Sequence, residues 1–249
     1  MMEDEEWQRT IVLVGQFVLL LVFFWPRSLP AADPVDEFNQ RFPVNMPHIE
    51  GPPGASTAWI AKRMLRDGLP MSIRAFKTKS GIDEVMGHYS HEWRKRALSP
   101  RENRQGKRQR ILGVLDGDYY MTIQAFPTSQ GSEGFIVVTA DPAKMLPDRK
   151  TSFPLPGSLR IVRKDEYLDG EIAAETLTAV SDRSQRNEIG EISRHLRTNG
   201  WAEVSGPFDG SSLNVQVLEF QKSSQLVQVT VSSDKSLEQT TVLLHWRKN

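Results

Sequence analysis

Between positions 94 and 110 the chain gathers Arg94, Lys95, Arg96, Arg101, Arg104, Lys107, Arg108 and Arg110, with Glu102 as the only acid among them. Cations packed this closely repel one another and gain from a counter-charge, so the stretch can grip phosphates or an acidic surface. No aromatic side chain is interleaved, which removes the stacking platform that single-stranded nucleic acid needs. The segment therefore reads as a solvated loop that meets an acidic protein surface or anionic lipid headgroups, with no nucleic acid as partner.

Other candidate chemistry is thinner. His88 and His91 stand three residues apart on a predicted helix, and Glu84 shares their face. Such a trio can begin a metal site, but the usual zinc signatures and a further ligand are missing, so no metal is expected. There is no G-x-S-x-G nucleophile turn, no phosphate-cradling loop ahead of a Lys-Ser or Lys-Thr pair, and no dinucleotide fingerprint. The chain has no Cys, which removes thiol catalysis and thiolate metal sites. No catalytic residue and no cofactor is expected, and the protein reads as a non-enzyme.

Gln16 is the one strongly polar side chain in an otherwise apolar run, TIVLVGQFVLLLVFFW, at residues 10–25. Trp7 and Trp25 bracket that run, and as a helix they would stand roughly 27 Å apart, near the hydrocarbon thickness of a bilayer. An amide in hydrocarbon gains from a partner on another helix, which makes Gln16 a candidate interaction residue. The acidic start and the poor cleavage site after Ala31 or Ala32 argue for a retained anchor over a signal peptide.

The elements that must position these residues follow from periodicity and turn chemistry. The expected organisation is a cytoplasmic tail (1–9), a transmembrane anchor (10–26), a Pro-rich stalk (27–55), a first α+β domain (56–146), a joint (147–154) and a second α+β domain (155–249). Ser56 as a cap and Gly68 as a stop predict a helix over residues 56–68. An extended run, MSIRAFK, follows, with Ile73 set against Arg74. A second helix begins near Ser80 and places Ile82, Val85, Met86, Tyr89 and Trp93 on one face. Asp116-Gly117 supplies a hairpin turn, and GFIVVTA reads as a further strand. In the second half, strands flank Asp169-Gly170, Ser184 caps a helix bearing Ile189, Ile192 and Leu196, and LNVQVLEF, LVQVTVSS and TTVLLHW close the chain.

The two halves share an element order, and Leu69-Pro70-Met71-Ser72 echoes Leu155-Pro156-Gly157-Ser158. The fold class expected is α+β: a single N-terminal transmembrane helix followed by two small helix-on-antiparallel-sheet, ferredoxin-like units forming an internal repeat. Trp59, Trp93 and Trp201 are expected in the cores between helix and sheet.

The 249 residues carry a formal net charge of zero and 39% hydrophobic side chains, with no global pull toward polyanions. A short tail, one anchor, a stalk and two small domains form a layout similar to that of bitopic subunits of bacterial envelope machines. That similarity is architectural and has no motif behind it. It implies a non-catalytic assembly or scaffold subunit of a secretion, pilus or comparable complex, in the inner membrane with its domains extracytoplasmic and with other envelope proteins as partners. The rival is a membrane-anchored sensor or binding module for an anionic ligand or lipid headgroup.

Overall fold

The computed structural model describes residues 38–42, 45–105, 109–144, 147–169, 172–210, 215–234 and 239–248. The described residues belong to one compact unit. It is built on a single twelve-stranded antiparallel sheet. The strands are β1 (Ser56–Arg66), β2 (Leu69–Thr78), β3 (Arg101–Gln105), β4 (Gln109–Asp116), β5 (Tyr119–Thr128) and β6 (Gly131–Ala140), then β7 (Arg160–Asp169), β8 (Ile172–Ser181), β9 (Ala202–Gly210), β10 (Val215–Lys222), β11 (Gln225–Asp234) and β12 (Gln239–Lys248). Helix α1 (Ile82–Lys95) follows β2, and α2 (Gln185–Thr198) follows β8.

Across the sheet the order is β3-β4-β5-β6-β2-β1-β7-β8-β12-β11-β10-β9. Read outward from the centre, the left half runs β1-β2-β6-β5-β4-β3 and the right half β7-β8-β12-β11-β10-β9, so both are wired alike. In each, the chain leaves the second strand, crosses the sheet as a helix to the far edge, and meanders back. The expected pair of separate ferredoxin-like units is thus corrected. β1 pairs with β7 through Met64–Tyr167, Leu65–Glu166 and Arg66–Asp165, and this makes one continuous sheet.

Cross-strand register places both helices on the same face. The row Leu65–Glu166–Glu175–Trp246–Val227–Phe220 runs from β1 to β10 in directly opposed positions. Trp246, Val227 and Phe220 belong to the core under α2, with Ile192, Leu196 and Trp201. On the other side, Ile136, Ile123 and Leu112 pack under α1 with Val85, Met86, Tyr89 and Trp93. Between the two cores, a helical turn at residues 38–41 sets Phe38 and Phe42 on Leu65, Leu168 and Ala173. This part of the expected stalk is packed against the sheet, because its aromatic side chains cover the apolar gap the helices leave.

The expected helix at 56–68 is a strand. Ala, Lys, Arg, Met and Leu give the stretch strong helix propensity, yet Met64 and Leu65 are adjacent and both fully buried, in different clusters. A strand buries neighbouring side chains on opposite faces, whereas a helix offers one stripe. Asp67 and Gly68 carry φ of 49° and 83°, so what resembled a helix stop is a two-residue hairpin turn between β1 and β2. Strand β3 has no hydrophobic alternation, and it exists because it completes a ladder on β4.

No helix among the described residues is long and apolar enough to cross a membrane. The single-pass, inner-membrane placement is accordingly withdrawn, since the fold described is a β-sheet structure without a spanning helix. The expected tail at 1–9, anchor at 10–26 and Gln16 lie outside the described residues.

A charged network locks the central β1–β7 seam. Arg41 donates to both oxygens of Glu166, at 3.0 and 2.5 Å, and Lys164 Nζ lies 3.1 Å from Glu166 Oε1. Lys164 Nζ also donates to the Lys150 carbonyl at 2.6 Å. Arg66 grips Asp165 at 2.8 and 3.3 Å on the face without helices, with Arg163 at 3.4 Å. Asp67, in the hairpin turn, accepts the Lys164 N–H on Oδ1 at 2.8 Å and donates its own N–H to the Lys164 carbonyl at 2.7 Å. Burial opposes ionisation of Glu166, but hydrogen bonding from Arg41 and the Lys164 ammonium outweigh it and hold its carboxyl below the ordinary 4.5. Burial first, and then Arg247, push the His245 imidazole below its ordinary 6.5.

Two outcomes are expected. Glu166 stabilises the fold in full above about pH 4.5 and loses that contribution as pH falls through its depressed folded value. His245, neutral in the fold, contributes in full above about pH 6.5 and loses it below. Urea midpoints measured against pH should show an acid limb in two parts, with Glu166→Gln removing the lower part and His245→Asn the upper. Separately, a Cβ built on Gly134 of β6 would collide with the Gln124 carbonyl oxygen of β5. Gly134→Ala should therefore cost about 2–3 kcal/mol in chemical denaturation, through backbone displacement at the centre of the left half.

Candidate functional site

The groove that opens beside the first part of β1 is the site with the most unusual chemistry. Its volume is about 410 Å³, and it is lined by Phe42, Met46, Pro47, His48, Trp59, Lys62, Arg63 and Ser72. Phe42, Met46, Pro47 and His48 supply one wall and β1 with β2 the other.

Local irregularity in β1 aims these side chains. Trp59 pairs with Arg74, Ala61 with Ile73 and Met64 with Met71, so Ile60 has no counterpart and Lys62 and Arg63 together oppose the single Ser72. These bulges bend the strand and turn two consecutive cations toward the groove. Ser72, Arg74 and Phe76 alternate along β2 on the face that carries α1, which is why an arginine is buried there.

Arg74 is 7% exposed. Its guanidinium sits 5.4 Å from the centre of the Trp59 ring, and Nη1 lies 3.3 Å from His48 Nε2. Nη2 is buried without a hydrogen-bond partner, and no carboxylate pairs with Arg74 among the described residues. His48 in turn lies 3.2 Å from the exposed carboxylate of Glu50. Arg63 stacks over Phe42 at 4.9 Å and Phe38 at 5.4 Å and donates to Asn39 Oδ1 at 2.7 Å. Lys62 is exposed. The groove thus sets two permanent cations, Lys62 and Arg63, beside aromatic and thioether surface, with Arg74 buried behind its Trp59 and His48 wall.

Trp59 corrects an expectation. It is 45% exposed, whereas Trp93 and Trp201 are buried beneath α1 and beside α2. Neither Trp59 nor Arg74 was identified as a site residue from the sequence. The available signal was that Arg74 and the core residue Phe76 lie two apart on one strand and so share a face.

The basic segment is not a free loop. Arg94 and Lys95 form the last turn of α1, where cations suit the helix dipole, and Arg96 is its C-cap. Lys95 pairs with Glu92 at 2.9 Å and Arg96 with Asp116. Arg110, on β4, bonds Glu102 at 2.6 Å and also Asp83. Arg101 is exposed on edge strand β3, and Arg104 stands opposite Arg110 in the ladder. Lys107 and Arg108 lie outside the described residues. Folding therefore brings Glu92, Asp116 and Asp83 to cations that the linear sequence leaves unopposed.

Among the described residues no group of three or more His, Cys, Asp or Glu side chains is placed to hold a metal ion. His88 and His91 stand on α1 with no third ligand gathered to them. No family model matches the chain, and neither the curated proteins nor the solved structures compared with it give a match.

Replacing Trp59 by Phe should remove a red-shifted, acrylamide-quenchable component from the tryptophan emission and leave the melting temperature within a degree or so, since the ring is half in water. A blue-shifted difference spectrum would show the ring to be enclosed.

Proposed function

We propose that this protein is a non-catalytic assembly or scaffold subunit that works through protein–protein contacts. The observation that carries the reading is the groove at Trp59: a large aromatic exposed beside Met46, Phe42 and Pro47 is a feature of contact surfaces, where amphipathic rings supply area at low entropic cost. The chemistry of the described residues supports it too. Their buried carboxylates are engaged in structural bonds, as with Glu166 to Arg41 and Lys164, Asp165 to Arg66, and Glu188 to Ser158 and Ser181.

The edges of the sheet favour contact through a face rather than through strand addition. Strand β3 spans five residues and carries Arg101 and Arg104, while β9 contains Pro207 and is irregularly paired to β10. Short, charged, proline-bearing or bulged edges discourage pairing with another chain. The envelope setting rested on the withdrawn anchor and is not carried into this proposal.

A second reading, a binding module for an anionic ligand, is favoured by the uncompensated charge of Arg74. The basic segment serves either reading, as a salt-sensitive contact with an acidic surface.

Cross-linking the protein in its native cells, followed by size-exclusion of the complex, should return a defined partner in fixed ratio. Replacing Arg101, Arg104, Lys107 and Arg108 by Ser should weaken that contact at low salt and much less at high salt, where charged contacts are screened. A protein that stays alone after cross-linking would rule out the scaffold reading.

A further inference from the structure

We infer that the groove beside Trp59 takes a short acidic segment of a partner protein, one carboxylate facing Lys62 and Arg63 and held in the field of Arg74 behind the Trp59 and His48 wall, with an adjoining apolar side chain lying on Trp59 and Met46. This deepens the scaffold reading, on which it rests for taking a protein as the partner.

Charge comes first. A buried cation is normally paired, since removing it from water without a counter-ion is expensive. Lys164, the other buried cation among the described residues, follows that rule with Glu166, and the partly buried Arg66, Arg41 and Lys248 have Asp165, Glu166 and Glu175. Arg74 has only the face of Trp59 and one ring nitrogen of His48, with Nη2 unpartnered. Lys62 and Arg63 likewise lack acidic partners among the described residues, and Arg63 spends its charge on two aromatic faces and an amide. The one acid at hand, Glu50, engages His48 and points to solvent. A low-dielectric wall beside like charges focuses a positive field into the groove.

Shape and polarity then choose among anions. Free phosphate wants several donors converging on one point, and this groove instead spreads its cations along a bulged strand opposite Met46, Pro47 and Phe42. That pattern suits an anion carried on an apolar stem. Nucleic acid would stack on several large rings, and among the described residues the exposed rings lining the groove are Trp59 and the imidazole of His48 alone. An acidic peptide with alternating apolar residues satisfies both halves of the site.

Arg74 has a property that separates function from structure. If its charge is held for a ligand, removing it should not weaken the free protein, because an uncompensated buried ion opposes folding.

The test is fluorescence anisotropy with a labelled, end-capped peptide of alternating glutamate and leucine, titrated with the full chain and with Arg74→Met, Lys62→Ser and Trp59→Ala. Inorganic phosphate and an alternating serine–leucine peptide serve as competitors. Arg74→Met is expected to weaken binding by about tenfold or more while melting at or above the parent temperature. Lys62→Ser and Trp59→Ala should each weaken binding by about threefold or more, the first of them less so at high salt. The serine–leucine peptide and phosphate should compete poorly.

Binding that survives Arg74→Met, a serine–leucine peptide that competes equally, or phosphate that displaces the probe at comparable concentration would each overturn the inference; the last would mark a small-anion site. A collapse of Arg74→Met would overturn the claim that its charge is uncompensated, and the two exposed variants would then decide whether the groove binds the peptide at all. If the peptide fails while a cross-linked partner persists, the groove assignment falls and the scaffold reading stands. If the peptide binds and no partner is found, the opposite holds.

Discussion

The pairing of β1 with β7 is the constraint on which the architecture depends. Only three residue pairs, from Met64–Tyr167 to Arg66–Asp165, join two six-stranded halves into one sheet. So short a ladder is weak by itself, and the side chains around it supply what the backbone cannot. Asp165, fully buried, is clamped by Arg66 on one face, while Glu166 is held by Arg41 and Lys164 on the other. Because neighbouring residues on a strand point to opposite faces, one dipeptide anchors both sides of the sheet. Removing one partner from such a buried pair typically costs about 3–5 kcal/mol, which gives the seam its register as well as its strength.

The seam also explains how the rest is arranged. With β1 and β7 antiparallel at the centre and each half wired alike, both crossover helices fall on one face, over the outer strands. That leaves a gap above the central strands, filled by Phe38 and Phe42 on Leu65, Leu168 and Ala173. The chain that fills the gap then continues through Met46 to His48 and becomes one wall of the groove. Arg41, in the same helical turn, reaches Glu166. The segment that seals the seam and the segment that shapes the candidate site are therefore the same piece of chain.

Two kinds of buried charge coexist in this protein and illustrate different physics. Lys164 is almost fully enclosed, yet its ammonium meets a carboxylate and a carbonyl, which offset part of the cost of leaving water. Arg74 is enclosed to a similar degree with an aromatic face and a single ring nitrogen for company.

Local chemistry was legible in the sequence wherever a segment's own pattern decides its form. The helix over Ile82–Lys95 follows from Val85, Met86, Tyr89 and Trp93 at helical spacing, and the Ser184 cap, which accepts the Asn187 N–H at 3.4 Å, follows from its side chain. The turn at Gly117 and the strands β5, β6, β10, β11 and β12 carry alternation or turn residues that act over a few positions. Tertiary structure decided the rest. Residues 56–66 favour a helix by propensity and become a strand because β2 and β7 pair with them on both sides, burying Met64 and Leu65 on opposite faces. Strand β3 has no pattern of its own and is defined by its neighbour. The basic stretch looked unopposed because Asp83, Glu92 and Asp116 reach it only through folding. Whether two like-wired halves stay apart or fuse turns on three residue pairs at one strand edge, and the groove beside Trp59 exists only once Phe42, Met46, Pro47 and His48 have closed over the sheet. Those outcomes depend on contacts distant in sequence, which no local periodicity encodes.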